Sequence, residues 1–210
     1  MTRVKICGLT TPDTLDAALD HGAAFVGAVF FARSPRNLSP EDARPLFERA
    51  RGRAGIVAVT VDAADDLLDR IGAHLRPDFV QLHGHETLAR AHEVRRLTGA
   101  KLIKVLSVST PVDLEIAADW EDHVDHLMFD ARPPEGSDLP GGVGATFDWA
   151  MLSGRAFRHD WFLAGGLTPD NAAQAAAISG APLLDVSSGV ESAPGVKDAA
   201  RIAAFLKAVA

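Results

Sequence analysis

One cysteine in 210 residues rules out an internal disulfide framework and fits a reducing compartment. No Lys/Arg run suggests a basic patch, and a net charge of -7 disfavours non-specific nucleic-acid binding. No apolar signal-like region follows Met1-Thr2-Arg3-Val4-Lys5, so secretion is not expected. The longest apolar stretch, around Ala23 to Ala32, is about half of a membrane span. No composition break, low-complexity segment or linker divides the chain. The expectation is a cytoplasmic protein of one domain, residues 1–210, with no nucleic-acid or membrane partner. With no sticky face evident, a monomer is the default and a homodimer the alternative. Hydrophobic residues at 47% and charged residues at 23% are ordinary for a globular chain with ample core.

Short runs rich in Val, Ile, Leu and Phe recur throughout, at 3–7, 25–31, 56–61, 78–83, 102–107, 126–130, 161–165 and 183–187. Several lack strict alternation, as expected of strands covered on both faces. Ala/Leu-rich segments with helical spacing lie between them. Thr11-Pro12-Asp13, Ser39-Pro40-Glu41-Asp42 and Thr168-Pro169-Asp170-Asn171 each read as a cap with proline in the first turn. Further helices are predicted at 65–74, 86–97, 111–119 and 195–209, and a short one at 147–152. Eight βα units at a mean spacing of roughly 26 residues predict a single-domain (β/α)8 (TIM) barrel, α/β in class, with its active site at the C-terminal face. An open doubly wound sheet is the competing layout. Residues 132–145, rich in Pro and Gly, form a long rim loop of the kind that serves as a lid.

Chemistry is expected where the strands end. Cys7 closes the first strand, and a thiol there can serve as acid, base or nucleophile. Arg36 follows the second, Gln81 and His83 the fourth, Asp130 the sixth and Asp185 the eighth. Strand alternation puts Lys5 with Cys7, Met128 with Asp130, and Asp185 with Ser187 on common faces. With those faces inward, Cys7 and Asp130 meet across the barrel mouth, suited to moving protons at different atoms of one substrate. Gly165-Gly166 and Ser187-Ser188-Gly189 follow strands seven and eight, the usual phosphate position in such barrels. Arg36 reads either as a solvated surface residue or as a fork for a carboxylate.

The ordered set of motifs resembles the phosphoribosylanthranilate isomerase family of tryptophan biosynthesis. It runs from Lys5-Ile6-Cys7-Gly8-Leu9-Thr10 through Phe30–Arg36, Val80-Gln81-Leu82-His83-Gly84, Phe129-Asp130 and Gly141–Gly144 with Phe147-Asp148-Trp149. It ends with Leu163–Leu167 and Asp185–Glu191. The resemblance implies an Amadori rearrangement of N-(5-phosphoribosyl)anthranilate, a phosphorylated small molecule, to a 1-deoxyribulose product. It implies Cys7 as general base, Asp130 as general acid, Arg36 on the anthranilate carboxylate, and phosphate contacts near Gly166, Ser188 and Gly189. Asp185 would position the sugar, while Gln81 and His83 match the family motif without an assigned step. No cofactor and no metal is implied. Lys5 or a helix N-terminus is expected to lower the Cys7 pKa. Two departures stand out: Thr60, where an aromatic is commoner, and Val143, where threonine is usual.

Rival readings are an aldolase-like barrel using Lys104 as a Schiff-base nucleophile, and a metal site from His83, His85 and the Asp122–His126 cluster. A phosphate-ligand barrel without catalysis and a dual-substrate sugar isomerase complete the set. The pairing of Cys7 with Asp130 argues against the first of these, and the thiol against the second, since such isomerases generally use paired aspartates.

Overall fold

The computed structural model describes residues 2–133, 136–137, 140–142 and 144–210, so Val143 lies outside the described residues. Among them, eight parallel strands close into a barrel in chain order: β1 (Arg3–Cys7), β2 (Phe25–Phe30), β3 (Gly55–Thr60), β4 (Phe79–Leu82), β5 (Lys101–Val108), β6 (His126–Ala131), β7 (Phe162–Leu163) and β8 (Leu183–Val186). Closure is made by β8 pairing with β1, where Lys5 stands opposite Asp185. The open doubly wound alternative is thereby excluded. Helices α1 (Pro12–Asp20), α2 (Pro40–Ala50), α3 (Asp65–Arg70), α4 (Leu88–Thr98), α5 (Ala117–Trp120), α6 (Ala172–Ser179) and α7 (Ala199–Ala208) follow the strands. A two-stranded hairpin, β9 (Glu191–Ala193) and β10 (Val196–Lys197), stands on the rim before α7.

Local chemistry explains the helix starts. Thr11 accepts from the Thr14 N–H and Ser39 from the Asp42 N–H, each ahead of a proline whose missing N–H costs nothing there. Thr168-Pro169-Asp170-Asn171 behaves differently. It forms a turn in which Asn171 Oδ1 accepts from the Thr168 N–H, and α6 begins only at Ala172. The predicted helix at 111–119 divides into a 3₁₀ turn, Pro111–Leu114, and the short α5. At 195–209 the first residues belong to β10 instead of the helix. Helix α3 runs on as a π-helical turn over Ile71–Leu75, so the predicted segment is helical with altered pitch.

Burial falls into two apolar layers. The outer one packs strand residues such as Ile6, Val26 and Phe129 against the helices. The inner one fills the barrel with Phe25, Val57, Phe79, Ile103, Met128 and Phe162. At its N-terminal floor, Phe25 meets Phe162 edge to face at 5.3 Å, and the His126 ring joins them. Burying each phenyl ring contributes roughly 1.5–3 kcal/mol. Asp78 and Asp125 clip this end by accepting from the Ile56 and Leu102 N–H groups, each at 2.8 Å. With the floor sealed by apolar packing, polar strand residues are left to the opposite mouth. Thr60 is buried outside the residues that line that mouth, its hydroxyl donating to Gln81 O at 3.2 Å.

Candidate active site

At the C-terminal ends of the strands a cavity of about 780 Å³ opens to solvent. Cys7, Arg36, Gln81, His83, Asp130, Gly165, Gly166, Asp185, Ser187 and Ser188 all line it. Alternation on β1 and β6 is the reason: Cys7 and Asp130 share the inward faces of Lys5 and Met128, and both reach the one cavity from strands that are not neighbours.

The floor of the cavity is a buried ion pair. Lys5 is fully buried, and its Nζ donates to Asp185 Oδ1 at 2.8 Å. Space for the ammonium exists because β2 carries glycine opposite: a Cβ at Gly27 would lie 3.2 Å from Lys5 Cε. Burial alone would lower the Lys5 pKa, but Asp185 and the neighbouring Cys7 outweigh it and hold the pKa above its ordinary value. For Cys7 the balance goes the other way. Burial pushes its pKa up and outweighs the pull of Lys5, so the resting group is a thiol. The expectation that Lys5 would lower this pKa is therefore corrected: the attraction exists, but desolvation is larger.

On the opposite wall, His83 Nε2 lies 3.3 Å from Asp130 Oδ2, and Gln81 Nε2 lies 3.2 Å from His83 Nδ1. Gln81 Oε1 and His83 Nε2 are buried without a hydrogen-bond partner among the described residues. The rim loop closes over it at Gly141, where a Cβ would fall 2.6 Å from Asp130 Oδ2. A side chain at that position would collide with the carboxylate.

Arg36 is not a solvated surface residue. It is 5% exposed, and its guanidinium grips Glu191 through Nε to Oε1 at 2.6 Å and Nη2 to Oε2 at 2.8 Å. Nη2 also donates to Gly142 O in the rim loop at 3.3 Å. Among the described residues Nη1 makes no hydrogen bond. At the far end, Gly165 and Gly166 hold left-handed backbone with φ of 88° and 61°, leaving room for the loop over Ala131 and Thr146. Ser187 and Ser188, after the neighbouring strand β8, line the same cavity. Gly189, next to Ser188, is not among the lining residues; a Cβ there would fall 1.8 Å from Leu167 O, so glycine permits close packing between the loops.

Apart from His83, the rival residues are placed elsewhere. Lys104 is 4% exposed and donates to Glu86 Oε2 and Gly84 O, each at 2.8 Å, outside this cavity. His126 sits in the barrel floor, its pKa lowered by burial, while Asp125 clips Leu102. His85 is exposed, and the described residues contain no cluster of three metal-ligating side chains. Two contributors were given no role from the sequence: Glu191, although it ends the matched Asp185–Glu191 motif, and Lys197. Pro194-Gly195 is the turn dipeptide that brings the two together on a hairpin.

A family model for N-(5'phosphoribosyl)anthranilate (PRA) isomerase matches residues 4–208. The N-(5'-phosphoribosyl)anthranilate isomerase of Caulobacter vibrioides is 56% identical over 206 residues, covering 98% of this chain and 94% of that protein. The phosphoribosyl anthranilate isomerase of Thermotoga maritima has a crystal structure similar at a TM-score of 0.88, with 33% identity over 100% of this chain and 98% of that one. A phosphoribosyl anthranilate isomerase solved with reduced 1-(o-carboxyphenylamino)-1-deoxyribulose 5-phosphate is similar at 0.85 and 31% identity, over the same shares. Matched from end to end, with its motifs gathered at one barrel mouth, the chain belongs to the N-(5'-phosphoribosyl)anthranilate isomerase family and is an isomerase.

Proposed function

We propose that this chain rearranges N-(5-phosphoribosyl)anthranilate to 1-(2-carboxyphenylamino)-1-deoxyribulose 5-phosphate, a step of tryptophan biosynthesis in the cytoplasm. The observation that carries the reading is that Cys7 and Asp130 line one cavity together with the Arg36 guanidinium and the glycine and serine loops after β7 and β8. Asp130 gives its proton to the furanose ring oxygen, and the sugar opens to a protonated Schiff base on the substrate's own nitrogen. Cys7, as thiolate, removes the proton from sugar C2 to leave an enolamine. Protonation at C1 and loss of the C2 hydroxyl proton then give the ketone. No electrons leave the substrate, so the step calls for neither a redox cofactor nor a catalytic lysine.

Substrate geometry follows from the two anionic ends. Arg36 takes the anthranilate carboxylate, and Gly165, Gly166, Ser187 and Ser188 take the phosphate. Asp185 is held by Lys5 at the floor, where it can accept from a sugar hydroxyl. Gln81 and His83, with their unpartnered atoms, supply further contacts on the Asp130 side. Exposed large apolar side chains are few among the described residues, namely Val112, Ile116, Ile178 and Val196, which suits a monomer; sedimentation equilibrium tests that. No helix among them is long and apolar enough to cross a membrane.

The test follows loss of fluorescence from freshly made phosphoribosylanthranilate. Cys7→Ala and Asp130→Asn should each lose about 10²–10⁴-fold in turnover, the usual worth of a proton-transfer group. Both should still bind a reduced product analogue. Near-normal turnover in either variant removes that residue from the mechanism.

A further inference from the structure

We propose that Glu191 and Lys197 are positioning residues that leave Arg36 with an unneutralised positive charge, presented to the substrate carboxylate. This rests on the reading of Arg36 as the carboxylate receptor. A guanidinium already paired two-to-two with a carboxylate is electrically neutral as a unit, and a poor receptor for a second carboxylate. Lys197 removes that difficulty. Its Nζ lies 2.5 Å from Glu191 Oε1, so Glu191 is shared between two cations. Two positive charges and one negative charge leave the cluster at +1.

The surroundings do not cancel this charge. Lys5 and Asp185 neutralise each other, and Cys7 rests as a thiol. The cluster is also built for rigidity. The side chains of Arg36, Glu191 and Lys197 are 7%, 4% and 1% exposed. Glu191 Oε2 takes a further bond from the Gly195 N–H at 3.1 Å. Lys197 Nζ reaches Ser187 O at 2.9 Å and Ser187 Oγ at 3.2 Å besides Glu191, so each of the three N–H bonds of an ammonium has an acceptor. Lys197 does not line the cavity and never meets the ligand. It touches the cavity wall at Ser187 and reaches the Arg36 fork through Glu191; among the described residues Arg36 Nη1 makes no hydrogen bond. A buried, uncompensated charge is unfavourable in the empty site and becomes favourable when an anion arrives.

The experiment measures inhibition constants of anthranilate, and of aniline, which lacks the carboxylate, against the isomerisation. Lys197→Met should weaken anthranilate about ten-fold or more while aniline moves less than about two-fold, because only the charged ligand senses the lost cation. The double variant Lys197→Met/Glu191→Gln restores the charge to +1 and should recover anthranilate affinity at least about three-fold over the single variant. Two structural defects would instead add. An unchanged anthranilate constant in Lys197→Met, equal losses for both ligands, or a double variant weaker than the single overturns the proposal. If Lys197→Met does not fold, Lys197→Arg and the double variant both keep the charge, and a ten-fold loss of anthranilate affinity in both overturns it. Arg36→Gln runs alongside. An unchanged anthranilate constant there sinks the carboxylate reading itself, whereas weakening there without weakening in Lys197→Met sinks only the clamp.

Discussion

Replacing Lys5 by methionine should destabilise the barrel and slow its chemistry for the same electrostatic reason. Lys5 is fully buried and Asp185 is 8% exposed, with 2.8 Å between Nζ and Oδ1. At an effective dielectric of about 20, charges at that separation attract with about 6 kcal/mol. Desolvating each ion costs several kcal/mol, so the intact pair contributes little net stability. Removing one partner is another matter. Lys5→Met leaves a buried carboxylate without its cation, a change that costs about 3–5 kcal/mol. Domains of this kind have roughly 5–15 kcal/mol in hand, so the variant should fold at 25 °C with a lower urea midpoint. Trp120, Trp149 and Trp161 supply the fluorescence signal. The double variant Lys5→Met/Asp185→Leu removes both ions and should lose less than Lys5→Met alone. In the catalytic assay, Cys7 loses the cation that draws its pKa down, and its thiol becomes harder to ionise. Turnover at neutral pH should fall at least about ten-fold, one pKa step, with the alkaline rise displaced upward. A Lys5→Met protein within about 1 kcal/mol of the parent, or a pH profile that stays put, refutes the reasoning.

Other consequences can be checked in the same laboratory. Burial holds the Cys7 pKa above its ordinary 9.0, and a base works only once deprotonated. Thus kcat/KM should keep rising with pH beyond 9 in the free enzyme; a plateau near neutrality speaks against a thiol base. Gly141→Ala places a Cβ about 2.6 Å from Asp130 Oδ2, so kcat should drop at least about ten-fold while the melting temperature stays within a few degrees, since the change lies in a rim loop. Lys104→Met strands the buried Glu86 carboxylate and should cost about 3–5 kcal/mol in urea unfolding. Borohydride treatment of the parent with a carbonyl substrate should yield no mass adduct at Lys104, and an adduct would revive the aldolase reading.

The barrel was readable because its local rules agree. Strands covered on both faces show as apolar runs without strict alternation, and Thr11-Pro12 and Ser39-Pro40 cap their helices as expected. Where local signals were ambiguous the reading slipped. Thr168-Pro169 has the composition of a cap but forms a turn, because Asn171 reaches back to the Thr168 N–H. Of the hairpin after β8, β10 was absorbed into the helix predicted at 195–209 and β9 went unread, since strands of two or three residues carry no periodic pattern.

Residue order by itself determined the strand-and-helix sequence, the inward faces, and so the side chains presented at the mouth. A two-residue period puts Cys7 and Asp130 on inward faces at strand ends, while their proposed roles came from the family resemblance. Tertiary structure alone decided how those groups are charged and held. Arg36 meets Glu191 across 155 positions, and Lys5 meets Asp185 across 180. A contact at such separation leaves no local periodicity or propensity to read. Whether burial or a neighbouring cation governs the Cys7 thiol is likewise a sum over every surrounding atom, and only the folded chain brings those atoms together.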